Sequence, residues 1–472
     1  MPTLSPPSRR PPALTLAGMN RPLGPTEAIY YLLDQLYSLN FVVFAEVSGR
    51  LDAGGLERAL QAVQVEQPLL RTHLAVVRGR ACFKAVAPEQ AALKAQVRPL
   101  RNWRAAVSAE LDAPFAGEAP LGRFLWFRGR GKAVVAMVFH HTIADGKSGA
   151  NLLIEVLRRA GGEDIPLNVR QPHPSAQDLD LIQSKGVVES SLQKLKYWFS
   201  QGQAALKFPK QLPGYDMRLG DQRSIKVIPF SLAVETAQAL LAACRAHGTT
   251  VHGALGAAQV LALNAEFGSA QARQLGLTSL ADLRGVLSGK LSASDLGLYV
   301  ATITTVHGLA AKPDFWHLAA DIRGQLQQVL TSGDANLVHS VYREDSLLPM
   351  GRNRARLIQS SVALAPPSSM LTNIGKVDTP DLRNGARIQS LAFLVSPPPQ
   401  HPVCVTAASH GGRLHLNLLY DRVKLDDAQA QRITNTLVGF LEAAARGQLE
   451  SAWDPENDGN DEVTVGSQGG RW

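Results

Sequence analysis

The apolar positions along this chain switch period repeatedly, and each switch marks an element. Phe41-Val42-Val43-Phe44-Ala45-Glu46-Val47-Ser48-Gly49 is a β-branched and aromatic run closed by a turn, which predicts a strand. From Asp52 to about Glu66 the period lengthens, with Leu56, Ala59, Leu60 and Val63 on one helical face. Pro68 ends that helix, and residues 69–74 read as a resumed strand. Strands are also predicted near residues 81–84, over 120–127 and over 133–139, the last two paired through a short turn at 129–132. A helix follows over residues 148–157, with Leu152, Leu153, Val156 and Leu157 on one face and Ser148 as N-cap. Nearer the start, Thr26 is placed to cap a helix that begins at Glu27.

The second half repeats this logic without a residue-level repeat, so an internal duplication is only suspected. It reads as strand 224–230, helix 233–246, a small-residue helix 249–262, strands 275–280 and 299–306, and helix 314–330. Residues 403–409 and 413–420 form a hairpin around His410-Gly411-Gly412, and a last helix spans 426–445. The chain therefore divides into a Pro-rich leader (1–18, read as disordered), an N-terminal lobe (19–175), a linker (176–223), a C-terminal lobe (224–447) and an acidic tail (448–472, also read as disordered). The linker carries one predicted helix, 187–205, with Tyr197, Trp198 and Phe199.

Between the strand at 133–139 and the helix at 148–157 lies His140-His141-Thr142-Ile143-Ala144-Asp145-Gly146. A loop held by a strand and a helix can present a side chain rigidly. A placed imidazole can take a proton from a hydroxyl or amine near neutral pH. An Asp in so tight a loop is better suited to holding it, and the Gly permits close backbone approach or positive φ. The bland alternative is a structural turn with two satisfied histidines.

Composition narrows the rest. With 472 residues, 45% hydrophobic and 19% charged, the chain has material for at least two domains and a large core. Cys82, Cys244 and Cys404 are too dispersed for a disulfide framework or a metal-ligand spacing, so no metal is expected, and a reducing cytoplasm fits them. No apolar run is long enough to span a bilayer. The net charge of +8 favours acidic partners without selecting one, and the scattered cations argue against nucleic acid.

The motif and the order of weaker pieces around it resemble the condensation-domain and polyketide-associated acyltransferases, which share the two-lobed chloramphenicol-acetyltransferase-like fold. Those pieces are Ser48-Gly49-Arg50-Leu51-Asp52, Pro68-Leu69-Leu70-Arg71, Pro120-Leu121-Gly122-Arg123, Thr250-Val251-His252-Gly253-Ala254-Leu255, Asp282-Leu283-Arg284 and Thr372-Asn373-Ile374-Gly375-Lys376-Val377. The chain departs from many relatives at Gln67, where they carry histidine, and it lacks the Asp-Phe-Gly-Trp-Gly signature of the plant BAHD branch. The resemblance implies an α/β fold of two lobes, each a mixed sheet flanked by helices, with a tunnel between them. It implies a stand-alone, monomeric transferase that holds no cofactor. The acyl donor would be a thioester on phosphopantetheine of an acyl carrier protein or on coenzyme A. The acceptor would be a small-molecule hydroxyl, giving an ester; an amine acceptor, giving an amide, and a non-catalytic carrier-binding recruiter stay open.

By the same resemblance His141 is the general base and the Gly146 backbone N–H a candidate oxyanion donor. Asp145 is the structural aspartate, with Arg284 its partner, and His140 is a loop and packing residue. Asn373 and Gly375 are expected on a loop that crosses between lobes and floors the tunnel. His252, Trp198 and Trp316 are left out of the site as core residues.

Overall fold

The computed structural model describes residues 20–450 except 88–90, 116, 171–172, 177–178, 180–211, 213–214, 217–221, 269–272, 288–290, 311, 333–349 and 363–367. The leader, the helix expected at 187–205 with Trp198, and most of the tail lie outside the described residues. The first half supplies β1 (Arg21–Pro22), α1 (Pro25–Asp34), β2 (Asn40–Ser48), α2 (Ala53–Glu66), β3 (Thr72–Val77), β4 (Arg80–Ala85), β5 (Ala95–Pro99), α3 (Trp103–Ala109), β6 (Gly122–Arg128), β7 (Lys132–His140) and α4 (Gly146–Ala160). The second supplies β8 (Ile225–Leu232), α5 (Val234–Ala246), α6 (Val251–Phe267), β9 (Arg273–Asp282), β10 (Val300–Leu309), α7 (Phe315–Ser332), α8 (Arg352–Val362), β11 (Ser368–Lys376), β12 (Arg387–Val395), β13 (Val403–His410), β14 (Arg413–Asp421) and α9 (Asp427–Arg446).

Three sheets organise these elements. One has the order β12-β2-β7-β6-β5, a second β10-β9-β11-β13-β14-β8, and a small third β1-β4-β3. Both large sheets are mixed: β5 runs parallel to β6, and β11 parallel to both β9 and β13, the other pairs being antiparallel. α2 and α4 pack on each other, with α4 against β2 and β7; α5, α6, α7 and α9 pack together over the second sheet. Each lobe thus buries its own apolar cluster. The two-lobed α/β architecture is present as the sequence implies.

One strand breaks the division into halves. β12 belongs by sequence to the C-terminal segment 224–447, yet it pairs antiparallel with β2, Arg387 opposite Ser48 and Val395 opposite Phe41. It also lies against β13 and β14. The second segment therefore completes the first sheet, and the two lobes meet along β12.

Local chemistry corrects several boundaries. α1 begins at Pro25, not Glu27, and Gly24 rather than Thr26 precedes it as the cap residue. Proline suits the first helical position, and the Gly24 N–H donates to Glu27 Oε2 at 2.8 Å. Residues 68–71 form a 3-10 turn rather than strand, with Leu69 and Leu70 both buried, and β3 starts only at Thr72. The expected hairpin at Gly411-Gly412 forms, with φ of 56° and 78°. Elements not anticipated are β1, β5, α3, α8, β11 and β12.

Candidate active site

β7 is buried at every position after Lys132 and delivers His140 and His141 to its end. The chain then turns, and α4 begins at Gly146 with Asp145 as its N-cap. Ser148, expected to be the cap, is instead the third residue of the helix. Its backbone N–H donates to Asp145 Oδ1 at 2.9 Å, and its hydroxyl donates to the same oxygen at 3.0 Å. A cap residue must sit in extended geometry, and Asp145 does, at φ −120° and ψ 173°.

The two histidines have different surroundings. The His140 ring accepts the Thr142 N–H at Nδ1 (3.3 Å), and its Nε2 faces Asp34 Oδ2 at 3.3 Å. Both nitrogens are committed to protein. His141 Nδ1 lies 3.0 Å from the Ala144 carbonyl oxygen, which can only accept, so the ring proton sits on Nδ1. Its Nε2 has no hydrogen-bond partner among the described residues. Phe41 and Tyr30 hold the ring at centroid distances of 4.7 and 5.1 Å. Burial pushes the His141 imidazole down to about 4, against a partial opposing pull from Asp145, so it is neutral at physiological pH.

Asp145 is fully buried and its carboxylate is spent on structure. Its Oδ2 accepts from Arg284 Nη1 at 2.8 Å and from the Tyr299 N–H at 3.2 Å. Arg284 also donates to Asp282 Oδ1 (3.0 Å) and to the carbonyls of Ser292 (3.1 Å) and Asp295 (3.0 Å). The structure therefore brings Asp145 and Arg284 together across the lobes as an ion pair, and leaves neither carboxylate oxygen for proton transfer.

A cavity of about 220 Å³ opens between the lobes. His141, Asp145 and Gly146 line it from the first lobe, and Asn373, Gly375 and His252 from the second, with Phe41, Ile374 and Phe393 among its apolar walls. Gly146 is needed for close approach rather than for positive φ, since a Cβ there would stand 3.0 Å from Ile374 Cγ2. Asn373 and Gly375 sit on β11, not on a crossing loop. The strand bulges between Asn373 and Lys376, Gly375 has φ 78°, and Asn373 Oδ1 accepts the Gly375 N–H at 2.8 Å. The segment that does cross is β12. His252, excluded by sequence, lines the cavity on α6. Trp316 is outside it, stacked on His247 at 4.3 Å. No cluster of three His, Cys, Asp or Glu side chains able to hold a metal occurs among the described residues. Nor is any helix among them long and apolar enough to cross a membrane.

No curated protein matches the chain in sequence. Residues 222–420 match the family model described as phthiocerol/phthiodiolone dimycocerosyl transferase C-terminus. Among solved structures, polyketide synthase associated protein 5 from Mycobacterium tuberculosis is 17% identical, with TM-score 0.64 over 90% of this chain and 98% of its own. Trichothecene 15-O-acetyltransferase from Fusarium sporotrichioides is 13% identical, with TM-score 0.71 over 93% and 100%. The condensation domain of the Monacolin K polyketide synthase is 14% identical, with TM-score 0.64 over 91% and 98%. Residues 222–420 thus match an acyltransferase family in sequence, and over 90–93% of the chain the fold matches condensation-domain and polyketide-associated acyltransferase structures, with their two-lobed chloramphenicol-acetyltransferase-like architecture.

Proposed function

We propose that this chain transfers an acyl group from a thioester to the hydroxyl of a small molecule, forming an ester, with His141 as general base. One observation carries the reading: a neutral imidazole whose Nδ1 is tied to the Ala144 carbonyl and whose Nε2 is left to the interlobe cavity. In this scheme His141 Nε2 takes the acceptor's hydroxyl proton as its oxygen adds to the thioester carbonyl carbon. The carbonyl π pair moves onto oxygen and is stabilised by N–H donors, the Gly146 backbone N–H among them. When that pair returns, the C–S bond breaks and the thiolate takes the proton from His141. Asp145 and Arg284 hold the loop and do not touch substrate. The donor is a thioester on an acyl carrier protein or on coenzyme A, substrates whose acidic groups suit the net charge of +8.

Ester formation is favoured over amide formation by the O-acetyltransferase among the structural relatives. The experiment is intact-mass acyl transfer. An acyl-loaded carrier and the matching acyl-coenzyme A are each offered with panels of alcohols and amines, to wild type and His141→Ala. Ester made by wild type and lost in the variant is the expected result. Equal product from both removes His141 as base, amide alone reassigns the acceptor, and carrier binding without product in any pairing indicates a non-catalytic recruiter.

A further inference from the structure

His252 and Ser279 take no part in the scheme above, yet His252 stands at the same cavity and Ser279 is its hydrogen-bond partner. His252 is the second residue of α6, after the Thr250 cap, and its ring lines the cavity from the lobe opposite His141. Its Nε2 lies 2.9 Å from Ser279 Oγ on β9. Ser279 is 1% exposed, and a buried hydroxyl needs an acceptor for its proton. Among the described residues the only group its oxygen meets is His252 Nε2. Donation from the hydroxyl requires a lone pair on Nε2, which puts the ring proton on Nδ1. That N–H has no protein partner among the described residues, and the residue that carries it lines the cavity. Burial lowers the His252 imidazole to about 4, so the ring stays a neutral donor through the physiological range.

We propose that His252 Nδ1–H is an oxyanion donor: it hydrogen-bonds the thioester carbonyl oxygen and stabilises the charge that gathers there during acyl transfer. This rests on the acyl-transfer reading. As the acceptor oxygen bonds to the carbonyl carbon, the π pair moves onto the carbonyl oxygen, and the pair returns as the C–S bond breaks. The proton stays on Nδ1 throughout, so His252 complements the proton transfer at His141 without duplicating it. The base thus comes from one lobe and the donor from the other. Ser279 is a positioning residue that sets the tautomer.

Two measurements test this on the full chain. The first is steady-state acyl transfer by wild type, His252→Leu, His252→Asn and Ser279→Ala, each checked by thermal melting. Losing one such donor costs about 10²–10³ in kcat. His252→Leu should show that loss with KM for the acceptor within about threefold, and His252→Asn, whose amide N–H falls near the position of Nδ1, should recover at least about tenfold of it. A His252→Leu rate within about threefold of wild type, or no advantage of Asn over Leu, overturns the proposal. The second is ¹⁵N NMR of histidine-labelled protein, which needs no substrate. A protonated Nδ1 and an unprotonated Nε2 on His252 are expected, with the ratio shifted by Ser279→Ala. An Nε2–H tautomer overturns the assignment even if wild type is active. An inactive wild type with the expected tautomer overturns the acyl-transfer reading, and the donor role with it.

Discussion

Replacing Arg284 by Met should destabilise the protein by about 3–5 kcal/mol, because it leaves the buried Asp145 carboxylate without its counter-charge. The magnitude can be built from the site. Two unit charges about 4 Å apart attract by about 4 kcal/mol at an effective dielectric of 20. Asp145 keeps the Ser148 N–H, the Ser148 hydroxyl and the Tyr299 N–H, which holds the loss toward the lower end. The carbonyls of Ser292 and Asp295 also lose their donor, about 1 kcal/mol each. The assay is urea unfolding followed by fluorescence, for wild type, Arg284→Met, Asp145→Asn and the double variant. In Asp145→Asn an amide NH₂ can be turned toward Arg284, so that single change should also cost several kcal/mol. The double variant removes both charges, and its cost should fall short of the sum of the singles by about 2 kcal/mol or more. Additive effects, or a loss below about 1 kcal/mol for Arg284→Met, would refute the view that this pair is what locks the loop across the lobes.

Other expectations follow from the same geometry. His141→Ala should lower kcat by about 10²–10⁴, whereas His140→Ala, which strands Asp34 and Thr142, should cost about 1–3 kcal/mol of stability with a much smaller effect on turnover; kinetics and melting of both variants separate them. Because burial lowers His141 to about 4, the base is available above that pH, and the acid limb of kcat/KM should fall near pH 4 rather than 6.5. Stability should decline as pH falls from 6.5 toward 4, where unfolded chains protonate histidines that the fold keeps neutral, His141, His252 and His415 among them; melting curves across that range test the sign. Gly146→Ala should raise KM by crowding Ile374 Cγ2, and Ile374→Ala in the same chain, which removes that methyl, should relieve it.

What is legible in the sequence is mostly local. β7 and α4 announce themselves by uninterrupted apolar character and by helical spacing, and the motif between them is contiguous. Asp145 and Arg284 lie 139 positions apart, and only the resemblance joins them ahead of the structure. β12 escapes a sequence reading because its partner β2 lies far back in the chain and no local turn signals the pairing. β11 reads as a loop because Asn373 and Gly375 are turn residues; in the fold they form a bulge inside a strand. Ser148 reads as the cap because hydroxyl and carboxylate both suit that role, and only backbone dihedrals distinguish them. A histidine on an apolar helix, such as His252, looks the same in sequence whether its ring ends in a core or at a cavity wall.

The strand loan from β12 to the first sheet bears on how the chain is made. As synthesis proceeds, β2 emerges early with β7 on one side and an open edge on the other, a sticky template until residues 387–395 arrive. The N-terminal lobe on its own should therefore be prone to association, and a split of the gene between the lobes should yield soluble material only when both pieces are made together. Dividing the chain after β12, so that the donated strand travels with its host sheet, should instead part β13, β14 and α9 from the strands β8 to β11 of their own sheet. No single cut leaves both products whole.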